Sequence, residues 1–323
     1  MSEAQKQVTT KYFEILRMQA LSAALAAALR GNLLEALFEG QKDVTRLAQK
    51  CQLDARACET CLNVLVAAGI LERYREDYAL SQTMRLLMGA DTQFQQSVFE
   101  HADSFLRLGK PAQSLEQHHR RLVDRQWTHT AAAMQMADVL QIGSQRKGLE
   151  VLDLGCGAGV FSAAMAYRDP DMKVTLVDSE PNLRLAMETY QSIEIDSRAQ
   201  WIADDYRRWD VPLEQFDLVL LPEVVQLEQD SDAVILLGRA CDGLRVGGEV
   251  IVVEPLLEQD GPMLSIRSYA FELALACDGV NRSAASHQQL MRGAGFADAQ
   301  WGWLTDDDHG LGIIVAKKLE ATK

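Results

Sequence analysis

Residues Val151 to Val160 read VLDLGCGAGV. An apolar run that includes Asp153 passes into three glycines, Gly155, Gly157 and Gly159, and then directly into an apolar stretch with helical spacing. Glycine lets a backbone turn sharply and approach a ligand closely, which a side chain would prevent. The passage therefore predicts a strand, a nucleotide-binding turn and a helix beginning near Val160. The loop alone does not name its ligand, because dinucleotide-binding folds use a similar one. Their usual spacing is G-x-G-x-x-G, whereas this chain has G-x-G-x-G.

Outward from the loop, strand-like runs alternate with helical ones. LEVLDLG is followed by KVTLVD, AQWIAD, FDLVLLPE and GGEVIVVEP, with helices expected from Val160, Pro181 and Ser231 and a last strand pair near Gln300 and Ile313. Such alternation predicts a doubly wound, mostly parallel sheet in an α/β domain. Asp178 closes the second strand at the spacing of a carboxylate that accepts hydrogen bonds from two ribose hydroxyls. Ala203-Asp204-Asp205-Tyr206 follows the third strand and offers acceptors and an aromatic edge for an adenine ring.

The N-terminal part reads differently. Val8 to Arg30 is helical in spacing and rich in alanine, and Leu33 to Phe38 is a short helix ending at Gly40. Asp43 or Thr45 can cap a third helix and Asp54 a fourth, whose face carries Cys58, Leu62 and Leu65 before Gly69 ends it. Ile70 to Leu80 alternates as a small hairpin, completing a winged helix-turn-helix. The would-be recognition helix sets Glu59 near its only arginine, Arg56, and has no basic stripe, so packing or dimerisation is expected rather than DNA binding. Residues Thr92 to Ile142 read as largely helical, with Met134, Met136, Val139 and Leu140 as an apolar edge and GSQRKG (143–148) as a hinge-like linker. The expected division is 1–90 for the helical and winged-helix dimerisation domain, 91–147 for a connector contributing to a substrate pocket, and 148–323 for the nucleotide-binding domain.

Composition bounds the partners. At 323 residues, 48% hydrophobic and with a formal net charge of −14, the chain can bury a large core and repels phosphate backbones and anionic lipid. No nucleic-acid or membrane partner is expected, and no apolar run is expected to reach spanning length; the longest candidate, Leu21 to Leu29, is a short alanine-rich stretch bounded by Arg17 and Arg30. The six cysteines lack the spacing of a disulfide framework, which fits a reducing cytoplasm.

With these motifs in place, the chain resembles the small-molecule O-methyltransferases of plant and bacterial secondary metabolism, relatives of caffeate and hydroxyindole O-methyltransferases. The resemblance runs from the alanine-rich helix to the AGF turn at Ala294 to Phe296. It implies a C-terminal Rossmann-like class I methyltransferase domain, a homodimer interlocked through the N-terminal domain, and S-adenosyl-L-methionine as cofactor. By resemblance Asp153 with Gly155, Cys156 and Gly157 holds the methionine part, Asp178 the ribose, and Asp204, Asp205 and Tyr206 the adenine side. Leu221 and Pro222 match the segment whose backbone lies near the reactive methyl.

The resemblance also implies a histidine base just after the fourth strand, and this chain has Gln226 there. Where the family has an acidic residue before Arg-Thr, this chain has Asn281, Arg282 and Ser283, while Glu254 matches a family acidic position. An amide takes no proton at neutral pH, so catalysis is expected from positioning or from another base, with His129, Tyr269 and Asp278 as candidates. Two alternatives are a tailoring enzyme that binds the cofactor without transferring its methyl group and a winged-helix regulator.

Other residues carry two readings. Cys58 and Cys61 lie one helical turn apart without a second ligand pair, which favours core packing over zinc. Cys156 reads as a spacer in the loop. His118 and His119 read as a solvated helix face, His287 as surface, and Asp306 to Asp308 as a turn, so no metal is expected. Trp127, Met134, Phe271 and Trp303 fit a pocket wall and a core equally well.

Overall fold

The computed structural model describes residues 2–90, 97–259, 261, 263–304 and 310–319. The acidic run Asp306 to Asp308 lies outside the described residues. The chain divides into two compact units, Met1–Ser97 and Val98–Lys323.

The first unit opens with α1 (Glu3–Arg30), whose first-turn amides are met by a Ser2 and Gln5 capping box. It continues through α2 (Leu33–Phe38), β1 (Lys42–Asp43), α3 (Val44–Cys51), α4 (Ala55–Ala67), β2 (Leu71–Tyr74), β3 (Asp77–Leu80) and α5 (Gln82–Ala90). Asp43 and Asp54 accept the Arg46 and Ala57 amides at 3.0 and 2.8 Å and so start α3 and α4. β3 pairs antiparallel with β2 on one side and β1 on the other. Cys58, Leu62 and Leu65 are buried with Leu34, Leu37, Leu47 and Tyr78 in this unit's core. Cys61 donates to the Ala24 carbonyl at 3.3 Å, and all six cysteines are free. The CxxC pair is thus packing, as its helical spacing implies.

Only the last part of α1 packs within its unit, through Leu21, Ala24, Leu25, Ala28 and Leu29. Tyr12, Phe13, Ile15, Leu16 and Met18 are exposed. An 18-residue window of α1 has a mean hydropathy of 1.2, so by length and composition this helix could cross a membrane. That corrects the expectation that no apolar run reaches spanning length: the helix is apolar enough on average although charges interrupt it.

The second unit begins with α6 (Ala102–Leu108), α7 (Leu115–Arg125) and α8 (Thr130–Val139). It continues with β4 (Glu150–Leu154), α9 (Val160–Arg168), β5 (Lys173–Asp178), α10 (Glu180–Ser192), β6 (Ala199–Ala203), β7 (Phe216–Pro222) and α11 (Asp230–Gly243). β8 (Leu244–Pro255), α12 (Met263–Cys277), α13 (Ala284–Gly293), β9 (Gln300–Trp303) and β10 (Leu311–Lys317) complete it. The seven strands are ordered β6-β5-β4-β7-β8-β10-β9, parallel from β6 to β8, with β10 antiparallel to both of its neighbours. This is the class I methyltransferase arrangement.

The period of two along each strand builds both apolar layers. Val151, Ile251 and Val253 face the layer that holds Phe161, Met165 and Tyr190, while Leu152, Leu154, Val250 and Val252 face the one that holds Leu237, Met291 and Phe296. Strand order reverses direction between β4 and β7, and the crevice at the carboxyl ends of strands beside such a switch point is where ligands bind in open α/β sheets.

Two local expectations are corrected. GSQRKG is a packed turn: Gly143 bonds to the Arg146 carbonyl, Arg146 pairs with Glu249 at 2.8 Å, and Asp169 accepts the Gly148 amide at 2.7 Å. A Cβ on Gly143 would stand 2.1 Å from the Arg168 carbonyl oxygen, so the glycine serves close packing. Of the apolar edge on α8, Met136 and Leu140 are buried but Val139 is exposed.

Candidate active site

The glycine loop has the geometry its sequence calls for. Gly155, Gly157 and Gly159 have φ of 78°, 59° and 69°, a region that side chains disfavour. A Cβ on Gly155 would lie 2.6 Å from Val224 Cγ1, and one on Gly157 would lie 3.1 Å from atoms of Val123 and Gln126. The glycines thus let the loop pack directly against Val224, Val123 and Gln126, where a side chain would clash. Cys156 is fully buried and its thiol is pushed well up by burial, in keeping with a spacer and not a reactive thiolate.

Asp178 closes β5 beside this loop. Its Oδ2 accepts the Gly157 amide at 2.9 Å, and its Oδ1 accepts the Ser179 amide at 2.7 Å and Asn182 Nδ2 at 2.8 Å. Asp178 also lines a cleft of about 680 Å³ with Asp204, Asp205, Tyr206, Asn182 and His119. His119 Nε2 is 3.8 Å from Asp178 Oδ2, and its ring meets Tyr206 edge-on at 5.6 Å. Asp205 is ion-paired to Arg207 at 3.0 Å; burial tends to raise its pKa, and the contacts with Arg207, then Arg208, outweigh that and lower it. Volume, carboxylate and aromatic edge all fit a nucleoside, so Asp178 would hold the ribose and the segment from Asp204 to Tyr206 the adenine.

His118 and His119 are therefore not a solvated face. His118 is 1% exposed, and burial first, then Arg125 and Arg121, lower its pKa to about 3. Both of its ring nitrogens, with Nε and Nη1 of buried Arg121, lack hydrogen-bond partners. No group of three His, Cys, Asp or Glu side chains placed to hold a metal ion occurs among the described residues.

Asp153 is placed in the core and lines neither cavity described here. Its Oδ2 accepts from Ser162 Oγ at 2.5 Å, Ser162 in turn accepts from Tyr190, and burial raises the carboxyl to about 7. Ser162 and Tyr190 were not singled out from the sequence, because a polar trio drawn from β4, α9 and α10 leaves no local pattern.

A second cavity, of about 410 Å³, lies where β7 and β8 end, walled by Phe99, Leu122, Pro255 and Leu311 and by Arg125, Thr128, His129, Glu223, Ser265, Ser268, Tyr269 and Glu272. Arg125 pairs with Glu272 at 3.0 Å, and His129 Nε2 lies 3.6 Å from Glu223 Oε1. Glu223 follows β7 directly, with φ of 59°. Leu221 and Pro222 are buried at the end of that strand, in register with Val252 and Val253.

Gln226, one turn beyond Glu223, is fully buried and held on both sides. Its Oε1 accepts from the Tyr269 hydroxyl at 2.8 Å, its Nε2 donates to the Glu223 carbonyl at 3.3 Å, and its amide donates to Glu254 Oε1 at 2.7 Å. His287 is fully buried with Nε2 3.2 Å from Glu254 Oε2, which corrects its assignment to the surface; a polar residue one turn into α13 looks solvent-facing until the neighbouring strand is in place. Arg282, also buried, donates to the Val225 and Glu228 carbonyls at 2.9 and 2.7 Å and to Asp230, so it clamps the turn that carries Gln226. Asn281 Nδ2 donates to the Pro255 carbonyl at 2.6 Å, whereas Asp278 is exposed. Trp127 is exposed, Phe271 is half-exposed against Phe99 and Phe105, and Met134 and Trp303 pack on the two core layers.

Residues 92–297 match the O-methyltransferase domain family, a stretch of more than half the chain. Among curated proteins, the acetylserotonin O-methyltransferase of Gallus gallus is 27% identical over 165 residues, which are 50% of this chain and 46% of that protein. The chain thus aligns with about half the length of that relative. The 3-hydroxy-5-methyl-1-naphthoate 3-O-methyltransferase of Streptomyces sahachiroi is 24% identical over 303 residues, covering 85% of this chain and 86% of that one. Among solved structures, human N-acetylserotonin methyltransferase in complex with SAM superposes with a TM-score of 0.68 at 20% identity over 98% of each chain. S-adenosylmethionine is the cofactor of that family, and this chain belongs to the O-methyltransferase domain family.

Proposed function

We propose that the chain methylates a small, aromatic or otherwise flat apolar metabolite with S-adenosylmethionine as donor. The observation that carries this reading is the pair of cavities at the carboxyl ends of one sheet: a nucleoside-sized cleft at β5 and β6, and an apolar-walled cavity with polar groups at β7 and β8. The second has a volume of about 410 Å³, within the range of small-ligand pockets. The bound cofactor supplies an electrophilic methyl carbon. Asp178 and the loop amides hold its polar parts, Leu221 and Pro222 back the region of transfer, and the acceptor is oriented from α7 and α12. Holding two reactants in near-attack geometry is worth about 7 kcal/mol or more. Release of the demethylated cofactor together with a methylated product, across a panel of hydroxylated and aminated aromatics, is the test; bound cofactor without turnover for every member would reject transfer.

Gln226 occupies the position where the family resemblance implies a histidine base, and an amide held by Tyr269 and Glu223 cannot serve as one. That favours a second reading, a tailoring enzyme that keeps the cofactor and transfers nothing. The first unit, read as a winged helix, would serve homodimerisation through the exposed apolar residues of α1, and a reducing cytoplasm suits the six free cysteines. Sedimentation of the purified chain reads the oligomeric state directly.

A further inference from the structure

If the acceptor loses a proton during transfer, some group near it must take that proton. Gln226 cannot. Glu254 accepts the Gln226 backbone amide at 2.7 Å, has His287 Nε2 3.2 Å from its other oxygen, is 1% exposed and does not line the cavity. Tyr269 donates its own proton to Gln226, and burial pushes its hydroxyl well above the ordinary range, so it stays protonated.

One pair on the cavity wall remains. His129 and Glu223 both line the 410 Å³ cavity, with Nε2 and Oε1 3.6 Å apart. The His129 ring is stacked on Phe161, with centroids 6.1 Å apart and planes at 27°, so a core aromatic backs its face while its Nε2 edge is turned towards the Glu223 carboxylate. Glu223 is 5% exposed and sits at the carboxyl end of the central strand β7, immediately after Pro222. An imidazole oriented by a buried carboxylate is the arrangement that general-base catalysis uses, and such contacts are commonly long before substrate binds and tighten in the complex.

We propose that His129, positioned by Glu223, accepts the acceptor's proton, and that the acceptor is therefore a neutral X–H group such as a phenolic or enolic hydroxyl, not a ring nitrogen without hydrogen. This rests on the proposed methyl transfer. In the step, an acceptor lone pair forms the new bond to the methyl carbon, and the carbon–sulfur electron pair stays on sulfur, neutralising its charge. The X–H bond breaks as its proton passes to the imidazole. The imidazolium is stabilised by Glu223 and later releases the proton to water.

The charged and titratable groups around the pair are consistent with these roles. Burial tends to raise the Glu223 carboxyl; an imidazolium at His129, the charge that forms in the step, lowers it most, and Arg125 lowers it as well, so the carboxylate is matched to that charge. His118 is neutral, and Arg125 is balanced by Glu272 at 3.0 Å.

The experiment uses the full-length chain and two near-isosteric variants, His129→Gln and Glu223→Gln. S-adenosylmethionine binding is measured by calorimetry, and release of the demethylated cofactor is followed from pH 5 to 9 with a panel of naphthols and, separately, with quinolines, which are methylated without proton loss. The expected result is naphthol turnover with an ascending single-proton limb that His129→Gln abolishes. That variant should lose about 10²-fold or more in kcat, the usual contribution of a general base, with cofactor affinity nearly unchanged. Glu223 acts through His129, so Glu223→Gln should lower kcat less and move the limb to lower pH, because a neutral neighbour no longer favours the imidazolium. Naphthol turnover undiminished in His129→Gln, turnover of quinolines alone, or no turnover of any naphthol by wild type with cofactor bound would each overturn the proposal. Failure of wild type to bind cofactor would instead overturn the underlying function.

Discussion

Asp178 Oδ2 accepts the Gly157 amide at 2.9 Å, which ties the end of β5 to the turn after β4. The residue read as the ribose acid is therefore also a strut of the glycine loop. Asp178→Ala would strip acceptors from Gly157, Ser179 and Asn182 together, and a buried donor left unpaired costs about 1–3 kcal/mol. A lower melting temperature and a cofactor affinity weakened by about tenfold or more are expected by thermal shift and calorimetry. Asp178→Asn keeps the shape and one acceptor but sets its NH2 against a donor on the other side, so it should recover only part of the stability and little of the affinity.

Gly155 tests the packing of the glycine loop. Gly155→Ala places a methyl group 2.6 Å from Val224 Cγ1 at φ of 78°, which combines a clash with a strained backbone at a cost of about 1–3 kcal/mol. Gly109, also at positive φ but with open space around its Cβ position, is the control. Gly109→Ala should affect stability less and leave cofactor affinity unchanged.

Arg282 holds the turn that carries Gln226 by donating to two carbonyls and to Asp230. Lysine has one ammonium in place of a planar fork and cannot reproduce this set. Arg282→Lys should cost about 2 kcal/mol in urea unfolding and lower kcat more than it raises the KM for cofactor, because the clamp lies on the β7 side of the switch point.

Asp153 gives a pH signature. Its carboxyl titrates at about 7 in the fold against an ordinary value of 3.8, raised by burial despite the Ser162 hydroxyl. Between these values the fold holds a proton that the unfolded chain has released. This contribution to stability is complete below pH about 4 and is lost as pH rises through about 7. Asp153→Asn stays neutral and still accepts from Ser162, so it should remove the slope. Its melting temperature should exceed that of wild type by roughly several degrees at pH 8 and converge towards it at pH 4.

Exposed apolar residues on α1 test the role given to the first unit. Phe13→Glu with Leu16→Glu changes side chains that are about half exposed within the chain, at 49% and 45%, so the monomer's fold should tolerate it. Sedimentation should show a dimer for wild type and a concentration-dependent shift to monomer for the variant; a wild-type monomer would contradict that role.

The sheet was legible because each of its strands is an apolar run bounded by a turn signal, and β4, β5, β7 and β8 lie where those runs fall. The glycines were legible because positive φ at Gly155, Gly157 and Gly159 leaves few other residues possible. His287, His118 and the Asp153–Ser162–Tyr190 trio were not, because a buried polar group is recognised by partners that sequence separates widely. His287 looks exposed along α13 until β8 brings Glu254 against it. Glu223 escaped notice for a related reason: beside Pro222 it reads as the polar end of a strand, and only α7 and the turn after it bring Arg125 and His129 to the same cavity. The GSQRKG turn misled because its composition is that of a linker, while Gly143 is needed for contact with Arg168.

The most direct test of the central claim is a calorimetric titration of the full-length chain with S-adenosylmethionine and, separately, with its demethylated product. The account predicts saturable binding of both at one site per chain, weakened at least about tenfold in Asp178→Ala. No detectable binding of either ligand at millimolar concentration to the folded wild-type chain would contradict it.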